Sequence, residues 1–132
     1  MKEVIRKHVG KPYRHNGRNL NGLDCLGLVV SFLRDNNIYL PDDDGKFIPE
    51  DWYKDDPERF INGLKQYGKK VEINDRQPLD VVVFSFKGIP KHAGVMISRS
   101  RFIHARRGKK VAVIRLKHYK KFFHSLWRIR GE

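Results

Sequence analysis

Cys25 is the only cysteine in this 132-residue chain. That excludes an internal disulfide and any Cys-rich zinc site. The six histidines include no pair at a recognisable metal spacing with a carboxylate, so no metal or other cofactor is expected. No apolar run approaches the length that spans a bilayer, so no transmembrane segment is expected. The N-terminal MKEVIRKHVGKPYRHNG lacks the uncharged apolar core of a secretory signal, and the chain is expected to be made without export information. Internal repeats and low-complexity tracts are absent. Acids are missing from Val81 to Gly131, a stretch with fourteen Lys and Arg, while residues 42–58 carry eight acids against Lys46 and Lys54. The net charge of +13 draws such a protein toward polyanions: nucleic acid, anionic lipid or phosphate-rich envelope polymers.

What is present suits one soluble domain over 1–132. Residues 2–8 form one or two helical turns with Val4, Ile5 and His8 on one face, ended by Gly10-Lys11-Pro12-Tyr13. A helix over roughly 24–36 follows, with Asp24 as its N-cap. Cys25, Leu28, Val29 and Phe32 share one side, and Leu26, Val30 and Leu33 widen the apolar surface until little is left for solvent. Such a helix is buried. Residues 41–79 read as an acidic excursion, with Asp42-Asp43-Asp44-Gly45 a solvated turn and a short helix running from Asp56-Pro57-Glu58 to Tyr67. From residue 80 the period becomes two. Residues 81–86, 92–98, 101–105, 110–116 and 126–130 are five candidate strands, with a helical turn near Tyr119–His124. Helices first and a meander of strands after predict an α+β fold with an antiparallel sheet.

A lone cysteine in an apolar helix is more often a packed core residue than a nucleophile. A helix N-terminus and a nearby imidazolium each lower a thiol pKa, and Cys25 has the first of these built in. The histidine must come from the sheet. On strand 92–98, His92, Gly94 and Met96 share one face. A three-residue loop at Ser98-Arg99-Ser100 pairs Ile97 with Arg101, Met96 with Phe102 and Gly94 with His104, putting both histidines on that face. A two-residue turn puts them on opposite faces, and no Gly or Asn in the turn chooses between the two.

Asp24-Cys25-Leu26-Gly27-Leu28-Val29 resembles the D-C-x-G-L-V signature of the NlpC-type cell-wall peptidases, a papain-like clan. Pro78-Leu79-Asp80-Val81-Val82-Val83-Phe84 is similar to their G-D-L-V-F-F strand entry, His92-Ala93-Gly94-Val95-Met96-Ile97 to H-V-G-I-Y-I, and Phe102-Ile103-His104-Ala105 to F-I-H-A. Gly10-Lys11-Pro12-Tyr13-Arg14 is similar to the G-x-P-Y stretch before the cysteine, although Asn16-Gly17 stands where a glycine pair would follow. The resemblance implies a papain-like α+β domain, its nucleophile at a helix N-terminus packed on a five- to six-stranded antiparallel sheet. It implies a Cys25–His92–His104 triad, with Tyr13 and Asp24 lining the site, and thiol-protease hydrolysis of the bond between D-γ-glutamate and diaminopimelate or lysine in peptidoglycan stem peptides. Many members carry serine after the cysteine, where it helps bind the substrate amine. Here that position is Leu26, which leaves recognition of a free N-terminal L-alanine open. Short members without a signal include phage tail-tip hydrolases, so the expected settings are a phage virion, among other tail proteins, or the cytoplasm. The basic C-terminal half is expected to engage anionic envelope polymers.

Three alternatives stand beside this reading. Tyr119, Phe122, Phe123 and Trp127 among Lys117, Lys120, Lys121 and Arg128 have the composition of a single-strand nucleic-acid surface, but no recognised nucleic-acid motif accompanies them. His8 and His15 precede Cys25, as in permuted thiol hydrolases and acyltransferases of papain-like fold, but neither lies in an H-x-G strand. An inactive wall-binding or structural phage module would keep the same residues.

Overall fold

The computed structural model describes residues 1–41 and 58–129. The acidic turn at Asp42–Asp44, most of the acids of the 42–58 run and the last residue of the expected 126–130 strand lie outside the described residues. In chain order the elements are helix α1 (Lys2–His8), the short strands β1 (Arg18–Asn19) and β2 (Gly22–Leu23), helix α2 (Cys25–Arg34), helix α3 (Arg59–Tyr67), and strands β3 (Gly68–Lys70), β4 (Val81–Phe86), β5 (Ile89–Met96), β6 (Arg101–His104), β7 (Ala112–Arg115) and β8 (Phe123–Ile129). Strands β3 to β8 make one antiparallel six-stranded sheet in the order β3-β8-β4-β5-β6-β7, and β1 pairs with β2 in a separate ribbon.

Helix α2 is the buried axis. Gly27 to Leu33 are all buried along it, because nearly every position after the first turn is apolar. It packs on one face of the sheet, where Leu28, Val29 and Phe32 share a core with Val81, Val83, Ala93, Val95 and Ile103. The other face, by strict alternation, presents Val82, Phe84, Met96, Phe102 and Leu126. Two 3-10 turns, Leu116–His118 and Lys120–Phe122, cover that second face with Leu116, Tyr119 and Phe122. The aromatics considered for nucleic acid are therefore largely spent on packing. Phe122 lies 4.8 Å from Phe86 between ring centroids, and the buried Trp127 donates its indole N–H to Ser125 Oγ at 2.8 Å.

The sheet's entry is tied down by Asp80. Its buried carboxylate accepts from Arg128 Nε and Nη2 at 2.8 and 2.9 Å and from the backbone of Gln77 at 2.8 Å. This bidentate fork joins the start of β4 to β8 at the sheet's centre.

Candidate active site

Cys25 is the first residue of α2 because Asp24 stops the chain one residue earlier. Asp24 Oδ1 accepts from Gly27 N at 2.7 Å, an N-cap bond, and from Arg18 Nη1 at 2.8 Å. Its Oδ2 accepts from Asn16 N at 2.9 Å. The first turn of the helix also lies hard against Gly17, whose carbonyl occupies the space a side chain at Gly27 would need. These contacts point the Cys25 side chain at the beginning of β5. Its Sγ lies 3.9 Å from the carbonyl oxygen of Lys91, and the backbone N–H of Ala93 is aimed at the same sulfur. The thiol thus meets the backbone on both sides of His92.

That approach is possible because β5 is irregular here. Phe84 pairs with His92 and Ser85 with Pro90, leaving Lys91 as the extra residue of a β-bulge. The β5–β6 connection has the three-residue register: Met96 faces Phe102, and Gly94 faces His104. Both histidines lie on one face, and His92 Nε2 meets His104 Nδ1 at 2.8 Å. With the proton on His92 Nε2, the bond leaves His92 Nδ1 with its lone pair. Gly94 makes room for the pair. A Cβ there would stand 2.6 Å from the Ile103 carbonyl oxygen, 2.8 Å from Phe102 Cδ2 and 3.2 Å from His104 Cβ. Gly94→Ala should force β5 and β6 apart, lower stability by about 1–3 kcal/mol and displace His104. A thermal melt alongside a hydrolysis assay checks this; a wild-type melting temperature would show that the strands absorb the methyl group.

The electrostatics depart from the expectation of a ready thiolate. Burial is the largest influence on Cys25, and with the Asp24 charge next to it the thiol is pushed up to about 12. The N–H groups of Ala93 and Leu26 and the charge of Arg18 act in the lowering direction but do not prevail. Burial likewise pushes His92 down to about 3, helped by His104 and Arg106, and His104 down to about 4, helped by Arg106. At neutral pH the resting site holds a neutral thiol beside neutral imidazoles. A thiolate–imidazolium pair is therefore not the ground state of these groups.

Tyr13 lies beside the thiol because Arg14 N donates to Leu23 O at 3.2 Å and Leu23 N to Pro12 O at 3.0 Å, laying residues 12–14 along β2. Burial raises its phenol first, then the charges it would feel from Cys25 and Asp24, while a hydrogen bond from Arg107 opposes them. Tyr13, Asp24, Cys25, His92 and His104 are therefore gathered in one place. Sequence reasoning missed three further residues there. Arg107 reaches Tyr13; Arg106 donates from Nη1 to Tyr119 Oη at 3.0 Å; and the Tyr119 ring lies 5.4 Å from His104 and 6.4 Å from His92 between centroids. The only signal for the two arginines was their position directly after Phe102-Ile103-His104-Ala105.

His8, one of the histidines of the permuted alternative, is engaged elsewhere. Its Nδ1 bonds the Val4 carbonyl and its Nε2 the Ser31 hydroxyl, both at 2.8 Å, which pins α1 to α2. Among the described residues, no three or more His, Cys, Asp or Glu are grouped to hold a metal ion, and no helix is long and apolar enough to cross a membrane.

A family model described as the NlpC/P60 family matches residues 10–128. The gamma-DL-glutamyl hydrolase of Bacillus subtilis (strain 168) is 33% identical over 115 residues, which are 84% of this chain and 24% of that protein. The chain thus spans about a quarter of the length of that curated relative. An NlpC/P60 family protein from Bacillus cereus superposes with a TM-score of 0.73 at 22% identity, over 97% of this chain and 38% of the other. The NlpC/P60 domain of the peptidoglycan hydrolase SagA gives 0.67 at 17% identity, over 97% and 95% of the two chains. At such identities the structural likeness speaks for the fold.

Proposed function

Because the chain belongs to the NlpC/P60 family, we propose that it is a cysteine peptidase that hydrolyses an amide bond in peptidoglycan stem peptides, with Cys25 as nucleophile, His92 as base and His104 as the residue that orients it. One observation carries this reading: the Cys25 sulfur lies against the backbone flanking a histidine whose far nitrogen is held by a second histidine at 2.8 Å. A nucleophile, a base and an orienting group in that order are the parts of a thiol hydrolase. As the scissile carbonyl approaches, the thiol proton passes to His92 Nδ1 and sulfur adds to the carbon. The backbone N–H of Cys25, which bonds no other group among the described residues, and the Tyr13 hydroxyl stabilise the oxyanion. His92 then protonates the leaving amine, and water hydrolyses the thioester. Asp24, whose oxygens cap the helix and hold Arg18 and Asn16, fixes the direction of the nucleophile and lines the amine side of the site.

The proposed bond follows D-γ-glutamate and precedes diaminopimelate or lysine. A γ-linked glutamyl residue leaves its α-carboxylate free, and Arg107, bonded to Tyr13 beside the nucleophile, supplies a guanidinium of the matching sign. The B. subtilis relative bears the name of a γ-glutamyl hydrolase, in keeping with such a substrate. Arg107→Ala should raise KM for a γ-D-glutamyl peptide about tenfold, the share of one partly solvated charged hydrogen bond, with little change in kcat. The same rise for a substrate amidated at that carboxylate would mean that Arg107 acts only on Tyr13. The reaction itself is tested by digesting purified peptidoglycan and weighing the released fragments by mass spectrometry. Cleavage after D-glutamate by wild type and not by Cys25→Ala is expected; identical fragments from both would defeat the proposal.

A further inference from the structure

Away from the cysteine, the turn between β5 and β6, the start of β7's outgoing turn and the first residue of β8 enclose a cavity of about 720 Å³. Arg76, Arg99, Arg101, Arg115, Lys117 and Lys120 line it, and among the described residues no carboxylate does. Two of these cations are held, among the described residues, by carbonyls rather than by an acid. Arg76 donates from Nε to the Arg99 carbonyl at 2.6 Å and from Nη1 to the Ile73 carbonyl at 2.8 Å, while Arg99 donates from Nη1 to the Arg76 carbonyl at 3.1 Å and from Nη2 to the Asn74 carbonyl at 3.2 Å. The turn beneath them is held as well. Ser98 Oγ accepts from the N–H groups of Ser100 and Arg101, and Leu116 N donates to the Ser100 carbonyl at 2.8 Å.

Backbone carbonyls orient these guanidiniums without neutralising them, so the described lining of the cavity carries a concentrated positive charge. Six like charges around one cleft repel one another, and an oxyanion chain laid between them relieves that repulsion. The predominance of arginine suits the forked geometry of phosphate oxygens. Leu116 and the half-buried Phe123 give the cleft an apolar side for the carbon links between charges. Among the described residues Phe123 is the one aromatic in the lining, and a single half-buried ring is a poor platform for successive bases. Phe122 and Tyr119 are turned into the sheet's second core, and the large hydrophobic side chains exposed among the described residues are Met1, Val9 and Tyr39, none of which lines the cavity.

We propose that this groove is a second binding site, for the phosphodiester backbone of an anionic cell-envelope polymer, and that it holds the enzyme on its substrate's surroundings independently of the catalytic cleft. The groove's preference for a phosphate chain comes from its own residues; the choice of an envelope polymer rests on the wall-hydrolase reading. The two 3-10 turns that supply Lys117 and Lys120 flank Tyr119, whose ring lies against the histidine pair, so one stretch of chain borders both sites.

The test uses the full chain and poly(glycerol phosphate), with binding followed by fluorescence anisotropy across a salt series. The quadruple variant Arg101→Ser/Arg115→Ser/Lys117→Ser/Lys120→Ser leaves the braced Arg76 and Arg99 in place. It should weaken binding more than tenfold and flatten the slope of log K against log salt by about three, at roughly 0.7 per lost phosphate contact. Hydrolysis of a soluble stem peptide should be unchanged, which shows the variant folded and keeps this test separate from the fate of the catalytic proposal. Equal polymer affinity for wild type and variant would overturn the groove assignment. Tighter binding of single-stranded DNA than of the polyol phosphate would overturn the choice of partner.

Discussion

Exchanging His92 for alanine is expected to lower kcat about 10³-fold, within the range that a positioned general base contributes. The reason lies in the state of the sulfur. A thiol pushed up to about 12 offers almost no thiolate at neutral pH, so its proton must leave during attack, and His92 stands between the two backbone groups, of Lys91 and Ala93, that the sulfur meets. Iodoacetamide labelling of Cys25 supplies an independent measure. In His92→Ala the labelling rate at pH 7 should fall, then climb with pH well past 9, the ordinary thiol value, without levelling. His104→Ala should cost less, about 10²-fold, because it leaves the base in place but free to turn. His104→Asn, whose amide oxygen can accept from His92 Nε2, should recover part of that loss. Loss of activity in His8→Ala or His15→Ala with His92→Ala unaffected would move the chemistry to the permuted arrangement. His8 is poorly placed for that, with both ring nitrogens committed to Val4 and Ser31.

Helix α2, its Asp24 cap and its burial were legible because a polar capping residue followed by uninterrupted apolar positions has few alternative folds. The strands of the second half were legible from alternation, but their ends were not. Strand β5 begins at Ile89 rather than 92, since Lys87 and Gly88 both take positive φ, 54° and 79°, and close a two-residue hairpin after Phe86. Lysine gives no hint of that conformation. Strand β3, a glycine and two lysines at the sheet's edge, carries no periodic signal at all. The Ser98–Ser100 turn was undecided in the sequence for want of a glycine or asparagine. The structure resolves it through a side chain, the Ser98 hydroxyl accepting two backbone N–H groups of the turn.

The site shows the same division. Which residues could meet was readable only on the condition of a three-residue turn, which the structure adopts and which puts His92, Gly94 and His104 on one face. Their ionisation was not, because the helix N-terminus is a local feature whereas desolvation comes from everything packed around it. Burial outweighs the donors at the first turn of α2, and a cap that sets the direction of the Cys25 side chain also places the Asp24 charge against it. Arg106, Arg107 and Tyr119 escaped notice for a related reason. In a run rich in Lys and Arg, nothing local tells the two guanidiniums that turn toward the site from those that face solvent.

Acidification from pH 7 to pH 5 is expected to destabilise the fold by several kcal/mol before it titrates the active site. His8, His92 and His104 are buried, and burial lowers all three below the ordinary value of 6.5, the last two to about 3 and about 4. A folded-state pKa below the unfolded one means that the unfolded chain binds protons first. The stabilisation is complete above 6.5 and is lost as pH falls toward the folded values. Each such histidine contributes about 1.4 kcal/mol per pH unit in that window, so His92 and His104 together remove about 4 kcal/mol by pH 5, a large part of an ordinary domain's stability. Carboxylates in an unfolded chain take up protons mainly below that pH, which leaves the window to the histidines. Urea denaturation at pH 7, 6 and 5 should show the midpoint falling, and His92→Gln/His104→Gln should flatten the trend. The acid limb of hydrolysis should then follow the fraction folded, with no separate inflection near 6.5. An inflection at 6.5 in a protein whose urea midpoint has not moved would show that the histidines titrate freely in the folded state, and the neutral resting site would have to be given up.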